Sequence, residues 1–207
     1  MNTMKWALYV ATLCTLCLCW FPASAVELSL CGGASMASPD WLNEQLDQYG
    51  VEYRESLAPI RSAFQARLDV GIPELRLWRF YPVLGFDMRM ASRSTQGGPY
   101  SAGMIGVSIG SAIPMGERLT MELAVVVYRG TYDSPPREGT SLSGWGVGGR
   151  LGVSYEIPLT ERFGLEIGIL GDLARVVFAG GRESSDVGSE INLSGIGVSI
   201  GVTWRGG

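Results

Sequence analysis

From Ile60 to Ile72 apolar and polar positions alternate with a period of two, placing Ile60, Phe64, Ala66, Leu68, Val70 and Ile72 on one face and Arg61, Gln65, Arg67 and Asp69 on the other. Successive side chains of a strand point to opposite sides, so one face suits hydrocarbon and the other suits water or ion pairing. The dyad recurs and predicts eight strands: about 26–36, 60–72, 78–90, 100–113, 118–129, 144–157, 162–178 and 191–204. An even number returns both ends to one side, as single-chain bacterial barrels require. The expected connections alternate in length. Those at Pro73-Glu74, Pro114 to Glu117 and Pro158 to Glu161 are short, while 37–59, 94–99, 130–143 and 179–190 are longer and polar. Short periplasmic turns and longer outer loops produce this asymmetry.

The first long connection breaks the period. Ser38-Pro39-Asp40 opens like a helix, Trp41, Leu42, Leu46 and Tyr49 then fall near one face, Asp40, Glu44 and Asp47 on the other, and Gly50 is the expected stop. Such a helix packs on the rim, caps the lumen, lies on the outer leaflet or meets a partner.

Alternation alone leaves two barrels open, because a soluble lipocalin-like barrel carries its apolar rows inside. The polar rows favour apolar-out: they are rich in Gly and Ser, lack lysine and hold isolated charges, whereas a water-facing exterior is denser in charge. The expected lumen then holds Glu27, Arg61, Arg67, Asp69, Arg79, Asp87, Arg89, Glu122, Arg150, Glu156, Glu166 and Asp172. Buried charges persist when paired, and the planar fork of arginine suits carboxylates. A plug of ion pairs is the expected filling; a narrow conduction path is the alternative.

Composition adds an export context. The 207-residue chain is 46% hydrophobic and 17% charged, with a formal charge of -4. Met1 to Lys5 supply a positive start, Trp6 to Phe21 an apolar run, and Ala23-Ser24-Ala25 a small-residue cleavage site, so residues 1–25 read as a signal peptide and 26–207 as one barrel domain. Cleavage leaves Cys31 as the only cysteine, which excludes an internal disulfide.

The chain has no histidine. Ser-His catalysis and histidine-based metal sites are therefore excluded, and neither an enzyme nor a cofactor or metal is expected. The glycine run Gly144-Trp145-Gly146-Val147-Gly148-Gly149 fits a dinucleotide pattern, yet the alternation continues through Tyr155 where that motif needs a helix. Loop acids Asp133, Glu138, Glu183, Asp186 and Glu190 read as solvated charge.

The export signal, eight alternating strands and the aromatic Trp204 near the end resemble the small eight-stranded outer-membrane barrels of the OmpA and OmpX type, over roughly Val26 to Trp204. A departure is that Arg205-Gly206-Gly207 follow the aromatic residue, with no further domain expected. The resemblance implies an all-β, antiparallel up-and-down transmembrane barrel in the bacterial outer membrane, a monomer among outer-membrane lipids that is inserted by the assembly machinery and has no nucleic-acid partner. The expected role is structural or surface interaction through the outer loops, with a narrow pore as alternative and a lipocalin-like binder behind it.

Overall fold

The computed structural model describes residues 26–37, 39–134, 141–178 and 190–206. The expected export signal at 1–25 lies outside the described residues, as do Ser38 and the loop acids Glu138, Glu183 and Asp186. The described strands are β1 (Glu27–Ala37), β2 (Ser62–Gly71), β3 (Tyr81–Thr95), β4 (Gly98–Pro114), β5 (Leu119–Asp133), β6 (Ser141–Pro158), β7 (Phe163–Phe178), β8 (Glu190–Asn192) and β9 (Gly195–Arg205); one helix, α1, spans Asp40–Tyr53. All strand pairings are antiparallel, and β1 pairs with β9 as well as β2, closing the sheet. Closure removes the free edge whose N–H and C=O groups hydrocarbon cannot satisfy.

β8 and β9 keep one register against β7, with Arg175 opposite Asn192 and Asp172 opposite Gly195. They form a single eighth wall, opened at Leu193 and Ser194, where the Ser194 hydroxyl accepts the Ala174 N–H at 2.8 Å.

The β5–β6 ladder runs on to Asp133 opposite Ser141, into the expected 130–143 loop, and two further connections differ from the sequence expectation. The third strand begins at Tyr81, so Trp78 and Phe80 leave the expected strand row. Pro73–Leu75 form a short 3-10 turn, Leu77 and Phe80 bond each other's backbones, and Trp78 takes a left-handed φ of 61° with its carbonyl held by Arg76 Nε at 3.1 Å. Arg79 goes with this turn. The second difference lies at 94–99, expected as a loop: β3 and β4 pair up to Thr95 opposite Gly98, leaving Gln96-Gly97 as a two-residue hairpin. Gly98 at φ 124° supplies the backbone bend there. The hairpin is braced from outside the sheet, because the Glu55 carboxylate accepts the Gln96 N–H at 3.1 Å.

The faces follow the period-two pattern, with the apolar rows outside. Ile109, Val125, Ile169 and Val198 are 66%, 59%, 62% and 63% exposed, whereas Arg89 and Arg150 are 1% and 2% exposed. Bare aliphatic rows around a closed sheet with arginines inside invert a water-soluble barrel, so the lipocalin-like reading falls. The fold is a membrane-spanning barrel of the bacterial outer-membrane kind. Among the described residues no helix is long and apolar enough to cross a membrane.

The interior is layered. At the loop end, inward residues are apolar or aromatic: Tyr100, Met104, Val126, Tyr128, Tyr132, Val176 and Phe178 form one core with Leu42, Leu46 and Tyr49 of α1. The helix closes that end. It runs past Gly50 to Tyr53, and Arg54 in a left-handed conformation (φ 55°) ends it, its N–H returning to the Gly50 carbonyl. Trp41 packs edge-on to Tyr132 (5.0 Å between centroids) and Tyr49 edge-on to Tyr100 (5.4 Å). Ile60, expected on the lipid-facing row, is buried in this core, and the Asn43 amide brackets its backbone, donating to the Ile60 carbonyl and accepting its N–H.

Candidate functional site

Below the aromatic layer, toward the short turns, the lumen is charged. Three arginines organise it, each reaching across the barrel. Arg67 on β2 places Nε 2.5 Å from Asp69 Oδ2, Nη1 3.4 Å from Glu122 Oε2 on β5 and Nη2 3.2 Å from Glu166 Oε1 on β7. Arg150 on β6 sets Nη1 2.5 Å from Asp87 Oδ2 and Nη2 3.1 Å from Asp69 Oδ1, and its Nε donates to Glu122 Oε1 at 3.2 Å. Arg89 on β3 sets Nη2 2.7 Å from Asp172 Oδ1 on β7 and Nε 3.5 Å from Asp87 Oδ1. Shared carboxylates join the three sets: Asp69 and Glu122 serve both Arg67 and Arg150, and Asp87 serves both Arg150 and Arg89.

Backbone and neutral groups complete the network. Arg89 Nη1 donates to the Leu193 carbonyl at 3.3 Å, at the opened step of the eighth wall. Its guanidinium also lies 5.7 Å from the centre of the Tyr128 ring. That ring needs the glycines beside it: a Cβ on Gly106 would come within 2.7 Å of Tyr128 Cδ1, and one on Gly148 within 2.8 Å of Cε2. Ser29 donates to Glu166 Oε2 at 2.7 Å, and Arg67 Nη2 lies 3.7 Å from the buried Cys31 sulfur.

Of the residues expected in the lumen, Arg67, Asp69, Asp87, Arg89, Glu122, Arg150, Glu166 and Asp172 come together in this network. Glu27 and Glu156 stand apart at the turn end, where Arg205 Nη2 lies 2.5 Å from Glu156 Oε2 and Arg205 Nε 3.9 Å from Glu27 Oε2. Two expectations are corrected. Arg61 has inward parity but precedes the first residue of β2 and is exposed at the loop end. Arg79 lies in the β2–β3 turn, exposed, with its guanidinium 5.8 Å from the Trp78 ring.

Sequence reasoning missed Ser29 and Tyr128 as members of the charged interior, and Arg205 as the half-exposed partner of Glu156 at its turn-end mouth. Arg205 was detectable, since the alternation that places Trp204 outward places the next residue inward. Tyr128 and Ser29 carried inward parity, but neither residue type announces an ion pair.

The space left inside is small. A cavity of about 50 Å³ opens at the turn end among Glu27, Tyr81, Glu122, Glu156, Glu166 and Thr203. A second, of about 10 Å³, sits beside Cys31, Arg67, Arg89 and Arg150, no more than the ~10–15 Å³ that a single water needs. Among the described residues no cluster of His, Cys, Asp or Glu is arranged to hold a metal ion.

No family model matches the chain, and no curated protein matches it in sequence. Solved structures do match in fold. Neisserial surface protein A (NspA) is 15% identical with a TM-score of 0.51, the match covering 88% of this chain and 97% of that one. Ail, the attachment invasion locus protein of Yersinia pestis, is 9% identical with a TM-score of 0.54, covering 86% of this chain and 97% of that one. The chain thus resembles small eight-stranded outer-membrane barrels.

Proposed function

We propose that the chain is exported behind residues 1–25, inserted by the outer-membrane assembly machinery, and resides there as a monomer whose role is structural or surface-interactive, exercised at its loop end. On this reading the α1 end faces outward and the short turns face the periplasm. The observation that carries the reading is the filled lumen: α1 and the aromatic layer close one end, and the Arg67–Arg89–Arg150 network fills the middle. An eight-stranded barrel encloses about enough room for its own side chains, and here they occupy it. What the protein presents to its surroundings is then its loop surface, where Asp40, Glu44, Asp47 and Glu52 form the exposed, acidic side of α1. The reading includes no catalytic activity, supported by the absence of histidine and by the arginines that engage the carboxylates of the lumen network.

Planar-bilayer recording separates this from a narrow pore. The purified, folded barrel is expected to give no steady conductance. A sustained, ion-selective channel whose selectivity changes with Arg150→Ala would overturn the closed-lumen reading.

A further inference from the structure

The lipid-facing surface is not flat all the way round. Gly103 stands on the outward row of β4, two residues before Ile105, and its missing side chain helps to open an exterior groove of about 290 Å³. The walls are Phe86, Met88, Met90, Ile105, Val107 and Val127. Arg129, Thr131 and Trp145 border it toward the loop end. Arg129 lies opposite Ile105 across one strand pair and opposite Trp145 across the next, its guanidinium 5.8 Å from the centre of the indole.

Depth and charge point to the occupant. Arg129 is four residues beyond Val125 along β5; at a rise of ~3.4 Å per residue and a tilt of ~45° it lies on the order of 10 Å from mid-wall, near the edge of a hydrocarbon band ~25 Å tall. A guanidinium on a lipid-facing row is costly in hydrocarbon and favourable where an anionic headgroup meets it. Trp145 suits the same boundary, with an apolar ring and one N–H. The groove offers hydrocarbon contact along its length and a cation at the headgroup end. That is the chemistry of an acyl chain joined to a phosphate.

We propose that this exterior groove binds one acyl chain of a phosphorylated outer-leaflet glycolipid, with Arg129 holding the phosphate beside Trp145. The site rests on the orientation in which the α1 end faces outward. It makes no use of the charged lumen.

Native mass spectrometry of the folded barrel, released from micelles containing bis-phosphorylated lipid A, tests this. The comparator is the same lipid after enzymatic removal of its phosphates. The parent is expected to retain one lipid A and to bind it roughly tenfold more tightly than the dephosphorylated form, as loss of a charge-assisted hydrogen bond implies. Arg129→Gln is expected to abolish that preference. Gly103→Leu is the second variant: its Cβ meets only ordinary contacts, Thr131 Oγ1 at 3.5 Å and the Arg89 carbonyl at 3.9 Å, so the wall can fold, and its side chain fills the groove and weakens both lipids. Heat-modifiable gel mobility verifies folding of each variant. Equal binding of the two lipids by the parent, indifference to both substitutions, or a dimer occluding the groove would overturn the site. Were α1 found on the periplasmic side while the phosphate preference persisted, the orientation would fail and the groove chemistry would stand.

Discussion

Arg150 Nη1 on β6 lies 2.5 Å from Asp87 Oδ2 on β3, so a single side chain ties two walls that are not neighbours in the sheet. Arg89 does the same toward Asp172 on β7, and Arg67 toward Glu122 and Glu166. These contacts join residues far apart in sequence, and they form only when the sheet has closed. The lumen is therefore a clasp as well as a filling.

Removing one member of such a buried set leaves its carboxylate partners charged with one counter-ion fewer in a site that water reaches poorly. Arg150→Ala is expected to cost about 3–5 kcal/mol, because Asp69, Asp87 and Glu122 all lose a guanidinium in a poorly solvated space. Arg205→Ala, whose side chain is 47% exposed, is expected to cost only about 0–1 kcal/mol despite its 2.5 Å contact with Glu156. Denaturant titration of the two variants refolded in the same lipid or detergent checks the contrast. Equal losses would mean that the network does not hold the barrel together.

The helix cap is a separate unit of stability. Leu46 is 1% exposed in the core that α1 shares with the walls. Leu46→Ala is expected to remove about 2–5 kcal/mol of packing, spent mainly on the docking of α1 because the strand ladders do not depend on it. Limited proteolysis should then cut within residues 40–61 while the barrel keeps its heat-modifiable mobility. Resistance equal to the parent would show that α1 is held by something other than this core.

Orientation is tested by impermeant thiol labelling on intact cells. Gln48 is exposed on α1 and Thr160 is exposed in the turn between β6 and β7, at the opposite end of the barrel. Cysteine at Gln48 should react and cysteine at Thr160 should not; native Cys31 is buried and adds no signal. Equal reactivity at both positions contradicts the proposed orientation.

Much of the architecture was legible because a strand's period of two leaves a clear trace when one face meets hydrocarbon. Leu28, Leu30 and Ala34 against Ser29, Cys31 and Ser35 read correctly from sequence, as did Ile167 and Ile169 against Glu166 and Gly168. The pattern reaches only as far as the faces differ. Trp78 and Phe80 kept the period by coincidence, although a 3-10 turn and a left-handed residue had already taken the chain out of the sheet. Toward the loop end both faces turn apolar, as Ala174, Val176 and Phe178 point inward against a core closed by α1, and alternation could not disclose that layer. Parity assigned Arg67 and Arg150 to the lumen. Which carboxylates they meet depends on closure and register, which no single strand encodes.

The central claim is that the apolar rows meet lipid and the charged rows fill the interior. Val125 on β5 and Val198 on β9 are 59% and 63% exposed, while Ala124, next to Val125, is 4% exposed and faces inward. Folding into lipid vesicles followed by denaturant titration measures the assignment directly. Val125→Arg and Val198→Arg are each predicted to lose about 2–4 kcal/mol near the bilayer midplane. If both variants fold as stably as the parent, and the parent stays soluble without detergent, the rows do not face lipid and the account is wrong.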